Sequence, residues 1–538
     1  MFKEIFKMNN FLSKRLNRFI FSILSGCLLF LSFPYTGSLT FLIFISLVPL
    51  LLLEDHISKF LKGKNLFLHS YLTFLIYNLG TTWWIWNASE EGMLFAVLLN
   101  SLLMSLFFQC FHVLKKVFNN ISGMFFLIVT WISFEFFHYS WELSWPWLNL
   151  GNVFSITPKF IQWYEYTGIL GGTLWILGVN YFIFYLLRKV MIRQVLSKLK
   201  LTFLAVMLLL PCVFSFYVYT TYNEYHESVN VLCLQPNIDP YNEKFNTTVE
   251  SQLNKLISLT ENKISDSIDL VVAPETAISA SVWENNFSSS SICHLFQGIS
   301  KEKDVPILIG ASTLKFFPVK KSNVSRKLNN QDGFYESYNS SVLFDSNILP
   351  VFMHKSKLVL GVEKIPFNTM FPWLEDLAID LDGASGSLGT ENKAKSFKSK
   401  GLSFTSTVCY ESIYGEFVAE QVKSGAQFIC IITNDGWWGN TPGYKQHASF
   451  ASLRAIENRR AVVRSANTGI SSFINQKGDV ISKTKWWVED TLTESINKNT
   501  KITFYTKYGD VLGSVSAVLL YGLVLTLLFV KVKKAIKK

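Results

Sequence analysis

The spacing of long apolar runs constrains this chain more than any other feature. Windows close to the ~20 residues that carry a helix across a bilayer fall at 17–34, 39–54, 66–86, 93–112, 122–140, 168–187, 201–220 and 511–530. A helix satisfies its own backbone hydrogen bonds, as hydrocarbon demands of any open segment that crosses it. Eight membrane helices are therefore expected, the second of them short. A composition that is 49% hydrophobic and 15% aromatic agrees with this reading. Lys14, Arg15 and Arg18 give the first window the look of a secretory signal, but six more windows follow before the long polar stretch, so it is read as a span.

Basic residues in short loops are retained in the cytoplasm. Here they alternate: Lys3, Lys7, Lys14, Arg15 and Arg18; then Lys59, Lys62 and Lys64; Lys115 and Lys116; Arg188, Lys189, Arg193, Lys198 and Lys200; and finally Lys531, Lys533, Lys534, Lys537 and Lys538. The intervening loops before residue 221 hold only Lys159, with the acids Glu90, Glu91, Glu142 and Glu165. Both termini are expected in the cytoplasm and 221–510 outside. The basic segments carry 20 positive residues against Glu4, Glu54 and Asp55, or +17, which leaves −6 for the rest of a chain whose net charge is +11. The outside block is mildly acidic, which argues against nucleic acid as a partner.

Three blocks follow from this: a bundle over 1–220, a soluble domain over 221–505, and a closing span with a basic tail over 506–538. Within the soluble domain, "VNVLCLQPN", "IDLVVAPET", "VPILIGAST", "YNSSVLFDS", "LSFTSTVCY", "AQFICIITND" and "TGISSFINQKG" read as strands, and 247–263, 414–424 and 443–465 as helices. Apolar strands alternating with helices predict an α/β layered fold. Ligands in such folds bind at strand C-terminal ends, and here those ends carry Asn237, Glu275, Cys409, and Asn434 with Asp435. Cys233 and Cys430 lie inside strand-like runs, where a buried free thiol is expected. No Cys or His spacing suggests zinc, and no metal or cofactor is expected.

Cys409 in "TSTVCYESIYG" follows a strand and precedes a helix-like run, so it is a candidate nucleophile at a strand end. A thiol needs a base, a cation or a helix N-terminus to react near neutral pH. The run from Tyr410 promises the helix. His447 and His354 are available for a papain-like Cys/His pair, though neither lies in a signature of that class. Glu275, ending "VVAPET", is the stronger base, because a partly buried carboxylate suits proton transfer. Lys355 follows the strand "PVFMHK" and supplies a cation.

"APET" with Glu275, "HKSKL" with Lys355 and "VCYES" with Cys409, in that order and followed by "TNDGWWG", resemble the Glu, Lys and Cys motifs of the nitrilase superfamily. Such a domain inserted before the last of eight spans resembles, more narrowly, the apolipoprotein N-acyltransferase family. Further matches are "QPNI" at 235–238, Asn339 in "YNSS", Glu363 eight residues after Lys355, Tyr410, Glu411, Trp437, "RAIENRR" at 454–460 and "WPWLNLG" at 145–151. "LVLGVE" departs from the usual "LVPFGE", with Leu360 where proline is common. The aromatic expected after "QPNI" is Tyr241 or Phe245.

The resemblance implies a membrane α-helical bundle plus a nitrilase-like α-β-β-α sandwich, in a monomer of the bacterial inner membrane with its catalytic domain on the periplasmic side. It implies a phospholipid acyl donor and a diacylglyceryl apolipoprotein acceptor. Glu275 is implied as base, Cys409 as acyl carrier, and Lys355 with the Tyr410 backbone N–H as oxyanion donors. Glu363 orients Lys355 or exchanges protons. Glu411, Asn339 and Trp437 support the site or contact substrate; for Asn339 a strand-end hydrogen bond competes with that role. Trp437 and Trp438 form an interfacial lid or acyl wall, or simply pack in the core. Glu135, at membrane depth, is either a site residue or a packing anchor. A membrane-anchored amidase or hydrolase is the alternative in the same fold. A transporter or receptor is the alternative outside it, but the spans hold few ionisable residues.

Overall fold

The computed structural model describes residues 11–118, 122–224, 227–244, 246–329, 332–368, 370, 371, 373, 387–391 and 393–536. Lys3, Glu4, Lys7, Lys537, Lys538 and Phe245 lie outside these residues. The chain divides into two compact units. One comprises Met1–Trp86, Glu90–Thr221 and Asp510–Lys538, and the other Asn87–Ser89 and Tyr222–Gly509.

Each of the eight apolar windows of the first unit is helical: Arg15–Ser32, Thr40–Phe60, Lys64–Thr82, Glu90–Val117, Gly123–Phe137, Tyr164–Met191, Lys198–Thr221 and Val511–Ile536. Among the described residues six of them are long and apolar enough to cross a membrane, and the chain is a multi-pass membrane protein. Gly123–Phe137 has only 15 residues. Lys64–Thr82 is diluted by inward-facing polar residues, including His69, Ser70, Thr73, Asn78, Thr81 and Thr82, all buried. These pair with neighbouring helices: Asn100 Nδ2 donates to Asn78 Oδ1 at 2.7 Å, and Thr73 Oγ1 to the Ser22 carbonyl at 3.0 Å. Without a hydrophobic drive between helices in lipid, such bonds and close packing supply the adhesion.

Glu135 is one of these anchors. It accepts from the Leu150 N–H at 2.8 Å, from Trp131 Nε1 at 3.0 Å and from Thr173 Oγ1 at 2.6 Å. Its carboxylate thereby ties its own helix to the "WPWLNLG" segment and to Tyr164–Met191, so the packing reading holds for Glu135.

The second unit contains fourteen strands among the described residues: β1 Ser228–Gln235, β2 Leu270–Val272, β3 Ile278–Trp283, β4 Ile307–Phe317, β5 Arg326–Lys327, β6 Phe334–Asp345, β7 Ile348–His354, β8 Phe397–Ser399, β9 Leu402–Val408, β10 Phe428–Thr433, β11 Val462–Ala466, β12 Ser472–Ile474, β13 Val480–Lys483 and β14 Asp490–Asn497. Its main helices are α1 Val249–Glu261, α2 Ser291–Lys303, α3 Gly415–Lys423 and α4 Pro442–Asn458. One sheet runs β14-β1-β2-β4-β6-β5, with β3 on β4 and β7 on β6; the other runs β13-β12-β11-β10-β9-β8.

Alternate side chains of each central strand bury on opposite faces. Val231, Cys233, Phe404, Phe428, Cys430 and Ile432 meet in the core between the sheets. Leu232, Leu234, Val271 and Ile309 pack instead with Leu253, Leu256 and Phe296 of α1 and α2. Ile429, Ile431 and Val462 pack with Val418, Val422 and Ala451 of α3 and α4. This is the expected α-β-β-α sandwich. Parallel pairing of β1 with β2, of β2 with β4, and of β10 with β9 and β11 aligns strand C-terminal ends within each sheet. β7, antiparallel to β6, which is antiparallel to β4, points the same way as β4.

Two expected boundaries are corrected. The helix expected over 443–465 stops at Asn458, where Arg459 turns left-handed (φ 48°), and its last residues instead form β11. The helix expected straight after Cys409 is a short 3₁₀ turn, Cys409–Ile413, and α3 begins only at Gly415. No α-helix N-terminus therefore backs the thiol.

Phe428 is fully buried and stacks on Phe404 at 5.4 Å. Phe428→Ala is expected to destabilise the sandwich by about 3–5 kcal/mol, read by denaturant titration of the far-ultraviolet signal in micelles; a loss below ~1 kcal/mol would contradict this packing.

Candidate active site

Glu275 lies in the turn that follows β2, and the chain there needs room. A Cβ on Gly310 of β4 would sit 2.6 Å from the Glu275 Cα and 2.5 Å from the Thr276 nitrogen, so only glycine lets this turn settle against the sheet. Lys355 is the first residue after β7, tied down by its own N–H to the Asn339 carbonyl at 2.8 Å. Its side chain is 1% exposed. Gly361 (φ 83°) opens a turn in which the Gly361 N–H donates to the Lys364 carbonyl and the Glu363 N–H to the Val359 carbonyl, both at 2.9 Å. Leu360 forms an isolated bridge with Lys364 in that turn, which returns Glu363 to the lysine.

The three charges share one hydrogen-bond cluster. Lys355 Nζ donates to Glu363 Oε1 at 2.8 Å and to Glu275 Oε1 at 3.2 Å. Asn339 Nδ2 donates to the same two oxygens, at 2.8 Å each. The second oxygen of each carboxylate takes a backbone N–H, from Asn434 for Glu275 at 2.9 Å and from Val359 for Glu363 at 2.8 Å. Burial works against the Lys355 ammonium, but Glu363 and Glu275 more than offset it and hold its pKa well above the ordinary lysine value.

Cys409 stands at the end of β9 in the left-handed region, φ 51°, a conformation that costs a non-glycine residue about 1–3 kcal/mol and persists only where its surroundings enforce it. Burial pushes its thiol well above the ordinary pKa, and the negative charges of Glu275 and Asp435 push the same way. Lys355 and a hydrogen bond with Thr433 oppose them without reversing the outcome. The sulfur rests as a thiol: Lys355 favours the thiolate but does not outweigh burial and the nearby carboxylates.

Glu411 clamps the two sheets' strand ends together. It accepts from the N–H groups of Ser356 at 2.5 Å and Lys357 at 3.1 Å, just after Lys355, and from Val408 at 2.8 Å, just before Cys409. Tyr410 is buried edge-on to Tyr414 at 5.4 Å, and burial raises its hydroxyl pKa well above normal. Trp437 and Trp438 are half-buried. Trp437 sits edge-on to Tyr241 at 5.3 Å, and the Tyr241 hydroxyl donates to the Trp437 carbonyl at 2.6 Å.

Behind the thiol, His447, which the sequence offered as a possible partner for Cys409, is joined to Asp435 and to Arg464, a residue given no role from the sequence. His447 Nδ1 meets Asp435 Oδ1 at 2.9 Å, and Arg464 donates to Asp435 Oδ2 at 2.5 Å. Asp435 ends β10 and was visible as a polar strand end. Arg464 fell inside the stretch read as helix, and its place on β11 hid it. Cys409 Sγ, an Asp435 oxygen and a His447 nitrogen lie within 4.8 Å of one another. Asp435 and His447 are bonded directly and Arg464 occupies the second oxygen, so these donors are spent on each other and do not fit a metal ion.

The "Carbon-nitrogen hydrolase" family model matches residues 231–503, and the "Apolipoprotein N-acyltransferase N-terminal domain" model matches 25–182. The apolipoprotein N-acyltransferase of Chlorobaculum tepidum is 31% identical over 93% of this chain and 94% of its own length. The chain belongs to the apolipoprotein N-acyltransferase family. That of Geobacter metallireducens is 26% identical over 92% of both chains. Among solved structures, Saccharomyces cerevisiae Nit3 of the nitrilase superfamily is similar at 14% identity and TM-score 0.37, covering 51% of this chain and 92% of its own. In this member of the family, Glu275, Lys355, Glu363 and Asn339 are joined directly. Asn339, within β6 and not at a strand end, bonds two side chains of the site.

Burial pushes the Glu411 carboxyl up to about 7 from the ordinary 4.5, against the backbone N–H groups of Ser356, Val408 and Lys357 that favour its charge. Between those values the folded chain holds a proton that the unfolded chain has released, so stability falls as pH rises through the window. Glu411→Gln removes this dependence. The difference in unfolding free energy, variant minus wild type, is expected to grow from pH 5 to pH 7; a pH-independent difference would contradict it.

Proposed function

We propose that this protein transfers an acyl chain from a phospholipid to the α-amine of a diacylglyceryl-cysteine lipoprotein, through a thioester on Cys409. The observation that carries the reading is a buried ammonium bonded to two carboxylates beside a buried thiol, in a chain matched along 94% of a relative named apolipoprotein N-acyltransferase.

Because the sulfur rests protonated, attack needs a base acting in step with it. Glu275 takes the thiol proton as Sγ bonds to the ester carbonyl carbon. The tetrahedral intermediate collapses, the bond to the glycerol oxygen breaks, and Glu275 returns the proton to that oxygen as lysophospholipid leaves. The acceptor amine then attacks the thioester and yields its proton to Glu275. The carbon–sulfur bond breaks, and the proton returns to sulfur. Kinetics are ping-pong.

An ammonium has three N–H bonds. Two go to Glu275 and Glu363, and the third serves the oxyanion together with the Tyr410 backbone N–H. One such donor is worth about 3–4 kcal/mol. Glu363 orients the lysine by occupying one of its protons. Asn339 keeps the two carboxylates apart from each other's charge by donating to both.

The soluble unit is assigned to the periplasmic side of a bacterial inner membrane, with both termini cytoplasmic, by the alternation of basic loops. Both substrates are lipid-anchored, and the membrane helices of the same chain keep the site with them. Glu135 and Glu54, buried in the bundle, find hydrogen-bond partners within it, which favours a tether over a transport path.

The test is intact-mass analysis after incubation with phospholipid. Wild type is expected to gain one acyl mass on Cys409 and to lose it to an added diacylglyceryl-cysteine peptide much faster than to water. No adduct, or an adduct equally on Cys409→Ala, would overturn the acyl-carrier role. Discharge to water as fast as to the peptide would make the protein a hydrolase.

A further inference from the structure

His447 is buried beside the nucleophile, 1% exposed. Its Nε2 lies 3.1 Å from the Cys409 carbonyl oxygen and 3.0 Å from Ser412 Oγ. Ser412 Oγ in turn donates to the same carbonyl at 2.8 Å. A carbonyl oxygen and a carboxylate oxygen both only accept, so the contact with Cys409 is a hydrogen bond only with a proton on Nε2, as the contact with Asp435 is one only with a proton on Nδ1. An Nε2 that carries a proton has no lone pair for the thiol, which removes His447 as the base of a Cys/His pair. The far side of the ring is fixed as well: Nδ1 meets Asp435 Oδ1 at 2.9 Å and an Arg464 nitrogen at 3.2 Å. The Trp438 ring stands edge-on at 5.6 Å.

The peptide that carries the Cys409 carbonyl also carries the Tyr410 N–H. In a planar trans peptide these two groups point in opposite directions. Two donors pulling the carbonyl toward His447 and Ser412 therefore aim the Tyr410 N–H the other way.

We propose that His447 is a positioning residue: with Ser412 it latches the Cys409–Tyr410 peptide so that the Tyr410 N–H faces the oxyanion. The inference rests on the reading of Cys409 as acyl carrier. Asp435, held as a carboxylate by Arg464, keeps the imidazole in place. Loss of the latch removes an oxyanion donor without touching the sulfur, the base or the lysine.

The experiment compares two reactions of Cys409 in the full-length protein in micelles: thioester formation from phospholipid, which passes through an oxyanion, and alkylation by iodoacetamide, which does not. His447→Ala is expected to slow thioester formation ~100-fold, the cost of one oxyanion donor, with KM within about twofold, since ground-state binding is untouched. Alkylation is expected to stay within about threefold of wild type. His447→Gln, whose amide N–H still reaches the carbonyl, is expected to recover at least about tenfold of the lost rate. If His447→Ala does not fold, Ser412→Ala is read by the same two rates, with the same split expected. Equal loss in both reactions, no loss in either, or no recovery in His447→Gln would overturn the latch. Absence of any acyl adduct on wild type in the same experiment would instead overturn the proposed function.

Discussion

The proposed chemistry hangs on one buried ammonium. Lys355 stands between two carboxylates with almost no contact with water, and an uncompensated charge at such depth is strongly destabilising. The pairing therefore works in both directions. Glu275 and Glu363 keep the lysine charged, and the lysine with Asn339 allows two carboxylates to remain close without repelling each other apart. No member of this cluster is replaceable by a neutral residue without stranding another. That mutual dependence explains why its parts come from the ends of different strands yet hold one geometry.

The cluster belongs to one sheet and the thiol to the other; Glu411 and the Asn434 N–H bond to Glu275 both tie them together. By accepting N–H groups on both sides of the gap, Glu411 fixes the lysine loop against the nucleophile strand. The left-handed Cys409 is then held by its carbonyl, through Ser412 and His447. The result is a sulfur kept dry and protonated beside Glu275, the residue that the proposed mechanism uses as its base. A resting thiol also suits an enzyme whose acyl acceptor is a second lipid-anchored molecule, since the sulfur is not left as a permanent anion.

Much of this arrangement was legible from the chain alone, and the reasons are local. The central strands are apolar on both faces and end in single polar residues, so Glu275, Lys355, Cys409 and Asp435 stand out at the strand ends where α/β folds bind ligands. What escaped were features governed by tertiary contact. The run from Tyr410 has helical composition, but the left-handed Cys409 and the Glu411 bonds to the backbone turn it into a 3₁₀ segment first. The helical pattern through "RAIENRR" runs on into β11 because the buried Arg464 looks like one more helix residue until Asp435 is placed beside it. Short edge strands such as β5, with two residues, carry no period at all. In the bundle, the polar stripe of Lys64–Thr82 becomes meaningful only with its partners Ser22 and Asn100 in view.

The central claim is that Cys409 waits as a neutral thiol and gives up its proton only during attack. A difference infrared spectrum, wild type minus Cys409→Ala in micelles at neutral pH, reads this directly. An S–H stretching band belonging to Cys409 is expected, and it should persist into alkaline solution. A spectrum without that band at neutral pH, with thiolate ultraviolet absorbance in its place, would contradict it.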